Sequence, residues 1–168
     1  MNVEDVPPAV RALFESFRRT RGNIPNLFRA VASRPPIVET LFAHLQAVMG
    51  PGTVDPLVKE LLAVRVSQVN GCGYCLASHS TLVKRLGGTD EQIEQAGRSD
   101  YTAFDPACAA ALEYAAAVAA PGAHVDDATY ATLAAHWEAP QIVEITAVCA
   151  AFSLFNRFAN ALRIPITR

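Results

Sequence analysis

The sequence predicts an all-α fold, and three observations carry that expectation. No stretch alternates apolar and polar residues long enough to read as a strand, apolar residues recur at helical spacing, and helix start and stop signals punctuate the chain. In order, helices are expected at roughly 8–20, 26–33, 36–49, 55–69, 72–86, 89–97, 105–119, 126–136 and 139–162.

Phe14 and Phe17 in the first helix read as packing residues, and Gly50 stops the third. The 55–69 helix is apolar on most sides: Leu57, Leu61, Leu62, Val64, Val66 and Val69 leave it little polar surface, which places it in the core or at an interface. Asn70-Gly71 supplies turn chemistry before the fifth helix, and Gly87 ends it. Thr89 with Gln92 has the spacing of a capping box, and Asp105-Pro106 reads as an N-cap followed by proline at the first helical position. Gly122 follows the seventh helix. The last helix, with Ile142, Ile145, Val148, Phe152, Phe155, Phe158 and Leu162, is as apolar as the fourth, and both open with a glutamate, Glu60 or Glu144, after a proline.

A length of 168 residues with 51% hydrophobic content fits one domain over 1–168, with the motif-bearing segment at about 36–97. The net charge of −2 leaves no excess of cations for phosphates, although Arg18, Arg19 and Arg21 cluster, so nucleic acid is not an expected partner. The stretch Met1 to Pro8 has neither a basic start nor an apolar run, and the apolar run Ile145 to Phe155 is interrupted by Thr146 and Ser153 and is shorter than roughly 18 residues. A soluble cytoplasmic protein, with no membrane partner, is the expectation.

Four cysteines, two of them only three positions apart, point to redox or metal chemistry rather than to a secreted disulfide framework. On a helix starting near Gly71, Cys72, Cys75 and His79 fall on one stripe. A Cys-x-x-Cys pair at a helix N-terminus can close a short disulfide, and the helix end favours thiolate. His79, one turn beyond Cys75, can take its proton, which makes Cys75 the better nucleophile and Cys72 the resolving thiol. Thioredoxin-like sites use the first cysteine instead, so the order of attack stays open. Glu60, in an apolar setting, needs a partner: either it orients His79 in a Glu-His-Cys relay or it pairs with an arginine. Zinc held by Cys72, Cys75, His79 and Glu60 is the rival arrangement, although no second close Cys/His pair is present. Cys108 and Cys149 read as buried structural thiols. His44, His124, His136 and Trp137 carry no informative spacing, although His44 could line a pocket beside the Glu60 helix.

Glu60, eleven residues, Cys72-Gly-Tyr-Cys75, three residues and His79 together resemble the active-site motif of the alkyl hydroperoxidase D-like group in the carboxymuconolactone decarboxylase superfamily. Gly22-Asn-Ile-Pro-Asn-Leu-Phe28 and Asn156-Arg-Phe-Ala-Asn160 are similar to its peroxidase-related branch. The resemblance implies a compact all-helical fold, assembly into trimers or hexamers, and thiol-dependent peroxidase activity without a cofactor or metal. In it Cys75 would form the sulfenic acid, Cys72 would be its partner, and Glu60 with His79 would relay the proton. The best-studied members carry histidine where this chain has Tyr74. The superfamily's lactone decarboxylases lack the cysteine pair, so the motif does not support decarboxylation. The implied partners are a hydroperoxide and an external dithiol or thiol-protein reductant. A dithiol adaptor serving another peroxidase, and a non-catalytic redox-responsive or metal-holding oligomer, are the competing functions.

Overall fold

A computed structural model describes residues 6–122 and 124–167, so Met1 to Asp5 of the N-terminal stretch lie outside the described residues. Among the described residues the chain forms nine helices and no strand: α1 (Pro8–Arg21), α2 (Asn26–Val31), α3 (Pro35–Met49), α4 (Pro56–Val69), α5 (Gly73–Arg85), α6 (Asp90–Arg98), α7 (Pro106–Ala119), α8 (Asp127–Ala134) and α9 (Ala139–Ala161). Each expected helix is present, with its ends within two residues. Several one-residue differences have a single cause: Asp55, Cys72, Thr89, Asp105 and Asp126 are N-caps rather than first helical residues. The Thr89–Gln92 capping box forms in both directions, and Asp105 accepts from the amides of Ala107 and Cys108.

α4 is the hub, packing against α5, α6, α7 and α9. Its residues from Lys59 to Ser67 are buried without interruption, which settles the apolar 55–69 segment as core. α9 packs on α4, α7, α3 and α5 and buries Ile142, Ile145, Val148, Phe152 and Phe155. It has the length and mean hydropathy, 1.5, of a membrane span, beyond what the interrupted run Ile145 to Phe155 had indicated, yet 56% of that window is buried inside the protein. Val143 and Leu154 on its outer side remain exposed.

α1, α2 and α3 close the other side through aromatic packing. Phe17 stacks near Phe28 at 4.7 Å and Phe42 at 5.0 Å, Phe28 meets Phe155 of α9 at 6.3 Å, and Phe155 meets Phe152 at 5.9 Å. Phe14 and Phe17 are thus packing residues, as is Trp137, whose indole donates to the Ala107 carbonyl at 2.8 Å.

One charged pair fixes the approach of the α3–α4 loop. Lys59 is 1% exposed; its ammonium forms an ion pair with Glu144 of α9 and donates to the carbonyls of Val48 at 3.1 Å and Gly50 at 2.7 Å. Glu144 Oε2 in turn accepts from Thr53 N and Oγ1, each at 2.9 Å. Burial opposes the Glu144 charge, but the hydrogen bonds from Lys59 and Thr53 outweigh it and hold its pKa below the usual carboxylate value. The carboxylate lies so close to Gly52 that a Cβ there would run into Oε1, so a side chain at this position would have to displace the Glu144 carboxylate from its partners.

Lys59→Met should therefore leave Glu144 without its cation and two loop carbonyls without a donor, costing about 3–5 kcal/mol in urea unfolding. Glu144→Gln, which keeps an acceptor for Thr53, should cost clearly less. Equal effects of the two changes would show that the pair does not anchor the loop.

Candidate functional site

The α4–α5 hairpin builds the site. Gly71 adopts φ +61°, where glycine carries no steric cost, and the reversal returns the chain so that Cys72 N donates to Ser67 O at 2.9 Å. α5 then runs back along α4. This register brings His79 against Glu60: Nδ1 lies 2.6 Å from Oε2, and both groups are buried. Of the two partners that the sequence left open for Glu60, the imidazole is the one in hydrogen-bond contact. Arg65 is engaged elsewhere, on Ser99 Oγ at 2.7 Å and over the Tyr101 ring. Phe152 packs edge-on against the imidazole at 4.5 Å, so His79 is held by a carboxylate on one side and by an aromatic ring from α9 on another.

Cys72 occupies the N-cap of α5, and its sulfur accepts from Cys75 N at 3.5 Å. Both sulfurs are unpaired as thiols and nearly inaccessible, at 1% and 3% exposure for the two residues. The Cys72 thiol is brought down to about 6, first by a hydrogen bond from the Cys75 thiol; burial opposes, and the Cys75 amide and the Asn156 side chain add to the lowering. Cys75 is pushed strongly upward by that same hydrogen bond, by burial and by the charge on Cys72. The pair therefore titrates as a unit, and the hydrogen bonds at the helix cap favour thiolate on the Cys72 side. The sequence placed activation at Cys75 through His79 and left the order of attack open; the local electrostatics lower the thiol at the helix cap and raise the one beside the imidazole.

The two sulfurs differ in what they face. Cys75 and His79 both line a cavity of about 30 Å³ whose other walls include Leu27, Phe28, Phe152 and Phe155; Cys72 does not reach it. Glu60 and His79 also border a wider groove of about 330 Å³ between α1, α3 and α4. His44 is exposed and lines neither, and His124 and His136 are exposed as well. Among the described residues no group of three or more His, Cys, Asp or Glu stands at metal-holding distances, so Cys72, Cys75, His79 and Glu60 do not form the tetrad that zinc would require. Cys108 and Cys149 are buried, and burial raises each thiol to about 12.

Two residues of the site carried no assigned role in the sequence. Asn156 of α9 is fully buried and donates to Ser67 Oγ at 3.1 Å, accepts from Asn70 Nδ2 at 3.1 Å, and favours the thiolate on Cys72. Asn160 donates to the Asn70 carbonyl at 3.1 Å, so the motif Asn156 to Asn160 clamps the hairpin turn that bears the cysteines. Tyr74 stands where a second imidazole was missed: its hydroxyl accepts from Leu27 N at 3.1 Å and lies 3.4 Å from Thr167 Oγ1, tying α2 and the C-terminal segment to the site. Burial raises its pKa, which keeps it a neutral phenol.

Comparison with known proteins agrees with this fold. Residues 35–117, from α3 into α7, match the Carboxymuconolactone decarboxylase family. The uncharacterized protein YnjA of Escherichia coli K12 is 34% identical over 145 residues, which are 86% of this chain and 75% of that protein. The alkyl hydroperoxide reductase AhpD of Gluconacetobacter diazotrophicus is 39% identical over 87 residues, 49% of this chain and 47% of its own. In fold, the chain superposes on a peroxidase-related protein from Ralstonia eutropha JMP134 with TM-score 0.90 at 24% identity, covering 99% of this chain and 90% of that one. It superposes on the debrominase Bmp8 with TM-score 0.85 at 22% identity, covering 95% and 87%.

Titrating reduced protein by thiolate absorbance at 240 nm should reveal one thiolate lost as the pH falls through about 6. Cys72→Ser should abolish that step, and Asn156→Leu should move it upward. Persistence of the step in Cys72→Ser would assign the charge to another cysteine.

Proposed function

Because this chain belongs to the AhpD-like branch of the carboxymuconolactone decarboxylase superfamily, we propose that it is a thiol-dependent peroxidase that reduces a hydroperoxide at Cys75 and is recycled by an external dithiol. The observation that carries this reading is the shared small cavity of Cys75 and His79, with His79 held by Glu60 at 2.6 Å. A cavity of about 30 Å³ suits the reacting end of a small molecule far better than the surface of another protein.

The two thiols divide the work. As Cys75 sulfur attacks the terminal oxygen of the hydroperoxide, the O–O bond breaks and the Cys75 proton passes through His79 to the leaving oxygen, giving an alcohol and a Cys75 sulfenic acid. Glu60 steadies the imidazole while it carries that proton. Cys72, as the thiolate that the helix cap favours, then attacks the sulfenic sulfur; hydroxide departs, takes a proton and leaves as water, and the Cys72–Cys75 disulfide forms. An external dithiol reduces it, releasing its own disulfide and one proton and restoring the thiolate–thiol pair. The net reaction converts a hydroperoxide and a dithiol into an alcohol, water and a disulfide. All 168 residues are read as one unit serving this site, in the cytoplasm, where thiols stay reduced.

Peroxide consumption with a dithiol tests the scheme. Cys75→Ser and Cys72→Ser should abolish turnover, while one equivalent of peroxide should join Cys72 to Cys75 and leave Cys108 and Cys149 reduced on peptide mapping. Glu60→Gln and His79→Ala should each lower kcat/KM about a hundredfold or more, and the double variant should be little worse than the poorer single one. Multiplying losses would make Glu60 a structural carboxylate and remove the relay.

The proposal extends to a homo-oligomer, with the family's trimer or hexamer as the expected form, because the outer side of α9 presents Val143 at 69% and Leu154 at 38% exposure, with Ala147 and Ala150 between them at helical spacing. Light scattering at micromolar concentration should give a multiple of 18.0 kDa. A monomer would withdraw the oligomer while leaving the peroxidase scheme standing.

A further inference from the structure

Arg21, the last residue of α1, is half-buried, yet its guanidinium makes no hydrogen bond or ion pair among the described residues. It borders the Cys75 cavity, the groove at Glu60 and His79, and a third, outer cavity of about 280 Å³. A guanidinium withdrawn from water without a partner is unfavourable, and burial accordingly lowers its pKa, with the charge of Glu60 acting against that and the charge of Arg85 adding to it.

Arg85, an exposed residue on the last turn of α5, lines the outer cavity with Arg21. Between them the wall offers neutral polar groups, among them Asn23, Ser78, Thr81 and Thr167, and among the described residues it holds no carboxylate. Two arginines on a wall with no carboxylate among the described residues, Glu60 acting on Arg21 only from the neighbouring groove, make this a locally cationic chamber in a chain whose net charge is −2. It abuts the reaction cavity directly, because Arg21, Pro25, Tyr74 and Ser78 line both. The inner cavity is walled chiefly by apolar side chains and the outer one is cationic, so the two together match a molecule with an uncharged reactive end and an anionic tail.

We propose that the outer cavity is an anion subsite in which Arg21 and Arg85 hold the carboxylate of a small reactant whose other end reaches Cys75. This rests on Cys75 being the reacting thiol of the proposed peroxidase. The planar, permanently charged guanidinium groups match a carboxylate in geometry as well as charge. The chemistry is shared by two reactants of the cycle, an acid-bearing hydroperoxide and an acid-bearing dithiol, and either can present its carboxylate here.

The test uses matched pairs that differ only in carboxylate charge, by one in the peroxides and by two in the dithiols. Cumene hydroperoxide carrying a para-carboxylate is compared with its methyl ester, and 2,3-dimercaptosuccinate with its dimethyl ester. The wild type should use the charged member of at least one pair tenfold or more better in kcat/KM, and Arg85→Glu should erase or reverse that preference. Preference confined to the peroxides assigns the subsite to the substrate, and preference confined to the dithiols assigns it to the reductant. Independently of turnover, 4-isopropylbenzoate should bind the folded Cys72→Ser/Cys75→Ser protein in calorimetry, and Arg85→Glu, checked for an unchanged melting temperature, should weaken that binding tenfold or more. Equal use of charged and ester forms, or binding of 4-isopropylbenzoate unaffected by Arg85→Glu, overturns the subsite. A wild type that consumes neither peroxide sinks the peroxidase reading instead, and the calorimetry then decides the subsite alone.

Discussion

Charged and polar groups taken out of water must find partners, and α4 places four of them, Lys59, Glu60, Arg65 and Ser67, inside an otherwise apolar rod. Each takes a partner from another element. Lys59 takes α9 and the α3–α4 loop, Glu60 takes α5, Arg65 takes the segment after α6, and Ser67 takes Asn156 of α9. Apolar packing alone leaves helices free to slide or rotate by small amounts, whereas these contacts each tolerate only a few tenths of an ångström. The positions of α5 and α9 relative to α4, and so the meeting of cysteines, histidine and carboxylate, follow from these satisfactions.

The same constraint separates stability from chemistry along one helix. Lys59 and Glu60 are adjacent in sequence and both buried, but they take different partners, Lys59 on α9 and the α3–α4 loop and Glu60 on α5. Lys59 finds a carboxylate and backbone carbonyls that engage its ammonium. Glu60 finds a titratable imidazole that itself borders two cavities. A buried ion pair that ties down a loop anchors the fold; a buried hydrogen bond that opens onto space can move a proton.

Much of this was legible before the structure because it is local. The caps at Thr89 and Asp105, the turn at Asn70-Gly71 and the stripe Cys72, Cys75, His79 depend on residues a few positions apart, where helical geometry converts spacing into contact. Glu60 was recognisable from the other direction, as a carboxylate whose apolar surroundings demanded a partner. What escaped comes from far along the chain. Phe152 and Asn156 return to the site from α9, and no spacing rule links residue 72 to residue 156. Tyr74 looked like a lost proton carrier, whereas it holds the α2 start and the C-terminal segment, a task visible only once those segments lie beside it. The different settings of the two thiols were not legible because Cys72 was counted into the first turn of the helix, whereas it is the cap.

That cap has a thermodynamic consequence for the couple as a whole. In the dithiol form the Cys72 sulfur receives the Cys75 amide, the thiol proton of Cys75 and help from Asn156, all of which favour its thiolate. Oxidation removes the charge and the thiol proton together, so the disulfide form gives up stabilisation that the reduced form enjoys. For a two-electron couple, every 1.4 kcal/mol of preference for the reduced state raises the potential by about 30 mV. The helix end thus acts as a bias on redox poise: it tilts the pair towards an oxidising potential, at which a mild dithiol suffices to reset it and only a strong acceptor, such as an O–O bond, drives it forward.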